Sequence, residues 1–133
     1  MSQKAKRSLG QNFLVDENVI QRIISAAGVH AGDAVVEIGP GRGALTEGLR
    51  VRGRHLVCIE KDDALANNLR RRYAKDDSVS VVNGDALVLR PSDLPVPGPF
   101  RVAANLPYNV GGRITMHLLE EWSGHVLSAT LMF

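Results

Sequence analysis

A chain of 133 residues with 44% hydrophobic and 23% charged side chains can build one domain with a packed core. It holds no apolar run near the ~18 residues of a membrane helix, and no apolar stretch follows the basic Lys4, Lys6 and Arg7 as a signal peptide requires. A net charge of +2 favours a polyanionic partner only weakly, and the single cysteine, Cys58, has no internal disulfide partner, which points to a reduced, cytoplasmic setting.

Residues 1–15 are polar and basic and read as an N-terminal arm; residues 16–133 read as one domain. Asp16 is placed to cap a helix to Ala27, whose apolar positions Val19, Ile20, Ile23, Ile24 and Ala27 recur at helical spacing before Gly28 stops it. Ala34 to Ile38 is a short buried strand running into the glycine cluster Gly39-Pro-Gly-Arg-Gly43, and a helix is expected from Ala44 to Arg52. A second strand covers His55 to Glu60. Asp62 or Asp63 then caps a helix to Tyr73, and Ser78 to Val82 is a third strand ending at Asn83-Gly84-Asp85. The proline-rich stretch Arg90 to Pro99 is a loop. Arg101 to Ala104 is a fourth strand ending at Asn105-Leu-Pro-Tyr108, followed by a helix from Arg113 to Trp122 and a strand from Val126. This alternation predicts an α/β fold, a mostly parallel, doubly wound Rossmann-like sheet with helices on both faces. The sequence stops while still reading as strand, which suggests that the domain is incomplete at its C-terminus.

Three motifs fall at the carboxyl ends of strands, where open α/β sheets bind ligands. In Glu37-Ile-Gly39-Pro-Gly41-Arg-Gly43, glycine lets the backbone approach a ligand where a Cβ would collide, which makes Gly39 and Gly41 candidate cofactor-binding positions. Glu60, at the end of the second strand, has the spacing of an acid that accepts from ribose hydroxyls. Gly39-x-Gly41-x-x-Ala44 also fits a dinucleotide fingerprint, and a ligand-free tight turn is the bland alternative. Asp85 could accept from an adenine amino group, although Asn83-Gly-Asp85 alone is an ordinary turn.

Asn105-Leu106-Pro107-Tyr108 carries the chemistry. An exocyclic amine on a heteroaromatic ring is a poor nucleophile because its lone pair is delocalised. The Asn105 side-chain oxygen and a backbone carbonyl near Leu106 or Pro107 would bind its two hydrogens and pull the nitrogen toward tetrahedral geometry. Tyr108 offers a face for a splayed base, and Pro107 fixes the local φ. Such catalysis is positioning and hydrogen bonding, with no strong base required. His30, His55, His117 and His125 lie outside these motifs, and with one cysteine they make no metal-ligand set, so no metal is expected. Arg50, Arg52 and Arg54, and Arg70, Arg71 and Arg72, can hold phosphates, or can be solvated helix faces balanced by Asp76 and Asp77.

Ser8-Leu-Gly-Gln-Asn-Phe-Leu-Val-Asp16, Glu37-Ile-Gly-Pro-Gly-Arg-Gly-Ala-Leu-Thr46, Gly84-Asp-Ala-Leu87 and Asn105-Leu-Pro-Tyr108, in that order and spacing, resemble the ribosomal RNA adenine N6-dimethyltransferase family. The resemblance implies transfer of two methyl groups from S-adenosyl-L-methionine to each of two adjacent adenosines in a 3′-terminal hairpin of small-subunit rRNA, on pre-ribosomal particles, with a role in ribosome maturation. It implies that Asn12 and Leu14 contact the cofactor, that Gly39 lies against its methionine part, and that Glu60 holds the ribose and Asp85 the adenine. Asn105 would sit between cofactor and base, with Leu106, Pro107 and Tyr108 completing the base pocket.

The family's later strands, a later aromatic motif and its helical C-terminal domain are absent, so cofactor binding with weak or no turnover is expected of these residues. Val110-Gly111-Gly112-Arg113 departs from the Ile and Ser-rich continuation usual in the family, and a looser loop behind the base pocket is the expectation. The alternatives are a large-subunit rRNA adenine methyltransferase, a DNA adenine methyltransferase, an NAD-dependent oxidoreductase and a non-catalytic ribosome-assembly factor. No membrane partner is expected; the oligomeric state is not legible, with a monomer the default.

Overall fold

Asp16 begins the first helix as expected: its side chain accepts from the amides of Asn18 and Val19, and α1 runs Glu17–Ala27. Gly28, at φ 59°, ends it in the left-handed conformation that glycine adopts without strain. The chain is described here by a computed structural model covering residues 16–132, with the backbone alone for Tyr108. The expected arm, with Asn12 and Leu14, lies outside the described residues.

The remaining elements are β1 (Ala34–Ile38), α2 (Thr46–Arg52), β2 (His55–Glu60), α3 (Asp63–Arg72), β3 (Val79–Asn83), a 3-10 turn (Pro91–Asp93), β4 (Phe100–Asn105), α4 (Tyr108–Glu121) and β5 (Val126–Met132). Asp62 caps α3, its side chain accepting from the amide of Leu65 at 3.0 Å, which resolves the choice between Asp62 and Asp63. All neighbouring strands are parallel, in the order β3-β2-β1-β4-β5. The order reverses direction between β1 and β4, and at such a reversal the loops leaving the two strands part and open a crevice.

Side chains alternate across the sheet, so its two faces bury different sets. Val35, Leu56, Cys58 and Ala103 pack with Ile20, Ile23 and Ile24 of α1 and Leu49 of α2. Val36, Val57, Ile59, Phe100 and Val102 pack on the other face with Ile114, Leu118 and Trp122 from and just beyond α4. Helices therefore cover both faces, as the alternation required. Trp122 is fully buried against Phe100, ring centroids 6.2 Å apart, and its indole N–H donates to the Leu89 carbonyl at 3.0 Å. At the amino-terminal ends of the strands Arg101 is paired with Asp33 (2.6 Å) and reaches Ser128 (3.2 Å), while Asp33 also accepts from the amide of His30.

Two expectations need correction. Residues 44 and 45 belong to the turn leaving the glycine cluster, and α2 begins only at Thr46. The larger change is α4, which begins at Tyr108 and not at Arg113. Pro107, at φ −56° and ψ 143°, is its cap, and the Pro107 carbonyl accepts from the amides of Val110 (3.1 Å) and Gly111 (3.3 Å). Val110-Gly111-Gly112-Arg113 is therefore helix and not a loosened loop. Two glycines cost this helix about 1 kcal/mol each in propensity, a loss offset by burial of Ile114 and Leu118 one and two turns on.

Candidate functional site

The crevice at the β1–β4 reversal is a cleft of about 530 Å³. Its walls come from all three rim motifs: Gly39 and Gly41 after β1, Glu60 at the end of β2, Asp85 after β3, and Asn105 at the end of β4 with Leu106 and Pro107 after it. Of the expected site residues, these seven are brought together. Asn12 and Leu14 lie outside the described residues, and of Tyr108 only the backbone position, at the start of α4, is described.

Glu60 is buried at 6% exposure and holds two loops. Its Oε1 accepts from the amide of Gly41 and its Oε2 from that of Asp62, both at 2.9 Å. A carboxylate has about four lone-pair sites, so two remain for a ligand. The Asn83 amide braces the same strand end, donating to the Glu60 carbonyl at 3.0 Å and the Lys61 carbonyl at 3.3 Å. Asp85 uses Oδ1 to accept from Leu87 N–H at 2.9 Å, while Oδ2 lies 3.6 Å from the exposed Lys61 ammonium at the cleft edge.

Gly39 has φ 66°, and a Cβ built there would meet only Leu106 Cδ2, at 3.8 Å. The space that Gly39 keeps clear is the cleft itself. Leu106 is anchored by its amide, which donates to the Met132 carbonyl at 2.8 Å. Because the Pro107 carbonyl is engaged in capping α4, the Leu106 carbonyl is the better candidate for an acceptor beside Asn105.

Behind the glycine turn lies a buried group that the sequence reading named only as the start of its motif. Glu37 of β1 is 1% exposed and accepts from the Thr46 hydroxyl at 2.7 Å. Burial pushes its carboxyl up to about 7; the Thr46 hydrogen bond opposes this and the Glu60 charge adds to it. Burial, with the charge of Glu37 next, also pushes the Cys58 thiol well up. The sequence signal was an acid inside the otherwise apolar strand Ala34-Val-Val-Glu-Ile38. Lys61, Asp62, Asn109, Val110 and Arg113 also line the cleft and were not singled out for it. They flank the motifs by one to five positions, and no residue-type pattern marks them.

Most of the arginine clusters are internally engaged. Arg50 pairs with Glu47 and Asp76, Arg52 donates to the Gly48 carbonyl, Arg54 to the Gly32 carbonyl and Arg70 to the Val81 carbonyl. The Arg72 guanidinium lies where a Cβ on Gly43 would be. These contacts favour the structural reading of the clusters. Among the described residues no helix is long and apolar enough to cross a membrane, and no three His, Cys, Asp or Glu side chains are grouped to hold a metal.

An open parallel sheet with a glycine turn, a rim acid and a cleft at its reversal point is the arrangement in which open α/β proteins bind ligands. Residues 2–133 match the ribosomal RNA adenine dimethylase family, and the chain belongs to it. A curated relative from Cupriavidus taiwanensis, ribosomal RNA small subunit methyltransferase A, is 45% identical over 123 residues, 92% of this chain and 43% of that protein. The chain thus spans less than half the length of that relative. Among solved structures, the 23S rRNA methyltransferase ErmE is similar with a TM-score of 0.79 and 34% identity, over 90% of this chain and 47% of that one. An RNA methyltransferase from Salinibacter ruber in complex with S-adenosyl-L-homocysteine has the same fold, with a TM-score of 0.66 and 24% identity over 82% of this chain and 71% of that one.

Proposed function

We propose that the cleft binds S-adenosyl-L-methionine and presents its methyl group to the N6 amine of an adenosine, in the dimethylation of two adjacent adenosines in a 3′-terminal hairpin of small-subunit rRNA during ribosome maturation in the cytoplasm. The observation that carries this reading is that Asn105 and Leu106 share one cleft with Gly39, Glu60 and Asp85. The donor set suits the cofactor: Glu60 has lone pairs to spare for ribose hydroxyls, Asp85 lines the cleft with an oxygen, Oδ2, that the Leu87 amide does not use, and Gly39 leaves the cleft clear. When bound, the cofactor supplies a methyl on a sulfonium, which departs as an uncharged thioether when the amine nitrogen takes the methyl.

The protein's part is to hold the amine. The Asn105 side-chain oxygen and the Leu106 carbonyl accept its two hydrogens, which draws the nitrogen lone pair out of conjugation and aims it into the cleft. The proton released afterwards passes to water, so no buried base is required. The small-subunit target is favoured by the curated relative's name at 45% identity. ErmE, whose name gives 23S rRNA, is 34% identical, so large-subunit RNA is the control substrate.

Calorimetric titration with S-adenosyl-L-methionine, and with NAD in parallel, tests the cofactor. Binding of the methyl donor alone is expected; preference for NAD would overturn the reading. Methyl transfer to unmodified small-subunit particles, with large-subunit RNA and DNA as controls, tests the acceptor. Little transfer is expected of these residues by themselves; Asn105→Ala is expected to lower whatever transfer they support by about 100-fold or more and to leave particle binding unchanged. Transfer undiminished by this substitution would remove Asn105 from the chemistry.

Gly39→Ala separates folding from binding. The left-handed backbone costs an alanine about 1–2 kcal/mol, a modest loss in a denaturation midpoint because the Cβ meets only one atom. The methyl would intrude on the cleft, so a fall of about tenfold or more in donor affinity is expected by calorimetry. Equal affinity in the variant would show that the ligand does not approach Gly39.

A further inference from the structure

Glu37 is the most deeply buried acid among the described residues, at 1% exposure, and the scheme above gives it no work. It stands beneath the glycine turn, two positions before Gly39, and its bond to Thr46 spans the turn from β1 to the first residue of α2. Register sets Cys58 of β2 and Ala103 of β4 on either side of it. The titratable groups facing it are Cys58, whose sulfur is 3.9 Å from Glu37 Oε1, and Glu60; both are on β2. On the same face, α1 presents Val19, Ile20, Ile23, Ile24 and Ala27, the glycine turn adds Leu45, and α2 adds Thr46 and Leu49. Among the described residues no basic side chain forms an ion pair with Glu37.

Glu37 accepts from the buried Thr46 hydroxyl, a role that the neutral side chain of glutamine could fill as well. What an ionisable group adds here is sensitivity to the charge of whatever lies against the turn. We propose that Glu37 is a proton-linked charge sensor behind the glycine turn: it ionises when the sulfonium-bearing donor is bound, is reprotonated when the uncharged thioether occupies the same site, and so favours donor over product. This inference rests on the cofactor reading above.

The physical basis is linkage. Burial holds the Glu37 carboxyl near neutrality, at about 7, so it is partly protonated there. A cation at the turn favours the ionised form. Donor binding then releases a proton, and donor affinity rises as pH passes upward through 7, whereas product affinity does not. Glu60 accepts two backbone amides in front of the same turn, so a second charge behind it is tolerated best when a cation sits nearby.

The test is calorimetry with S-adenosyl-L-methionine and with S-adenosyl-L-homocysteine at pH 7, each in two buffers of different ionisation enthalpy. The ligands' own amino groups contribute alike in the unmutated chain and in Glu37→Gln, so the variant supplies their baseline. The unmutated chain is expected to release roughly half a proton more with the donor than with the product. Glu37→Gln, which keeps an acceptor for Thr46, is expected to abolish this difference. The variant's donor-to-product preference at pH 8 is expected to fall by on the order of fivefold. Equal proton release with the two ligands in the unmutated chain would overturn the proposal even if the variant failed to fold. So would a difference that survives Glu37→Gln. Failure of the unmutated chain to bind either ligand would instead overturn the cofactor reading, and the sensor with it.

Discussion

Glu60→Ala is expected to abolish measurable binding of S-adenosyl-L-methionine at concentrations that saturate the unmutated chain. The carboxylate cross-links the glycine turn, through Gly41, to the β2–α3 turn, through Asp62. Hydrogen bonds to a charged group are worth about 1.5–3 kcal/mol each, and alanine removes both together with the two lone-pair sites left for the ligand. A fall in affinity of about 100-fold or more follows, accompanied by a lower melting temperature, because two amides lose their acceptor at a mostly buried position. Glu60→Gln should fall between, since an amide has one acceptor oxygen and turns N–H groups toward one of the two amides. Calorimetry and melting curves on the same samples check both effects. Binding by the alanine variant within about threefold of the unmutated chain would show that Glu60 serves only the loops.

Trp122→Ala is expected to carry the largest stability cost of any single substitution in the described chain, about 3–5 kcal/mol. The ring is fully buried, packs on Phe100 and donates to the Leu89 carbonyl, which the His117 ring also reaches at 3.2 Å. Truncation leaves a cavity and a carbonyl with one partner fewer. Leu89 ends the segment that starts at Asp85, so that wall of the cleft should loosen too. Trp122→Phe, which keeps most of the volume but loses the donor, should cost less. Urea denaturation gives both values. A midpoint shift corresponding to under about 1 kcal/mol for the alanine variant would mean that the segment is held by other contacts.

The sheet was legible because its central strands β1, β2 and β4 are buried on both faces and so read as apolar runs, and because caps such as Asp16 and Gly28 carry strong local signals. The gathering of Gly39, Glu60, Asp85 and Asn105 in one cleft was legible for a related reason: the carboxyl rim of such a sheet lies at the strand ends, so rim positions could be located by counting from them. The start of α4 was not legible, because Pro107 and the pair Gly111-Gly112 argue against helix locally, and the burial of Ile114, Leu118 and Trp122 that outweighs them is a tertiary effect. Arg50 shows the same limit from the other side. Asp76 was expected to balance the arginine clusters, but its pairing with Arg50, 26 residues away, follows no spacing rule. Glu37 was visible as an acid among apolar neighbours, but only the closeness of Thr46 and Cys58 shows that its charge is enclosed.

The Arg101–Asp33–Ser128 cluster lies at the opposite ends of the strands from the cleft. A cohesive cluster remote from the candidate site thereby supplements the bonds of Glu60 at the cleft, with the strands between them as a spacer. Such an arrangement lets one rim vary while the other is kept, so recognition loops can diverge without loss of the frame. A designer can likewise reinforce the frame near Arg101 while leaving every cleft residue untouched.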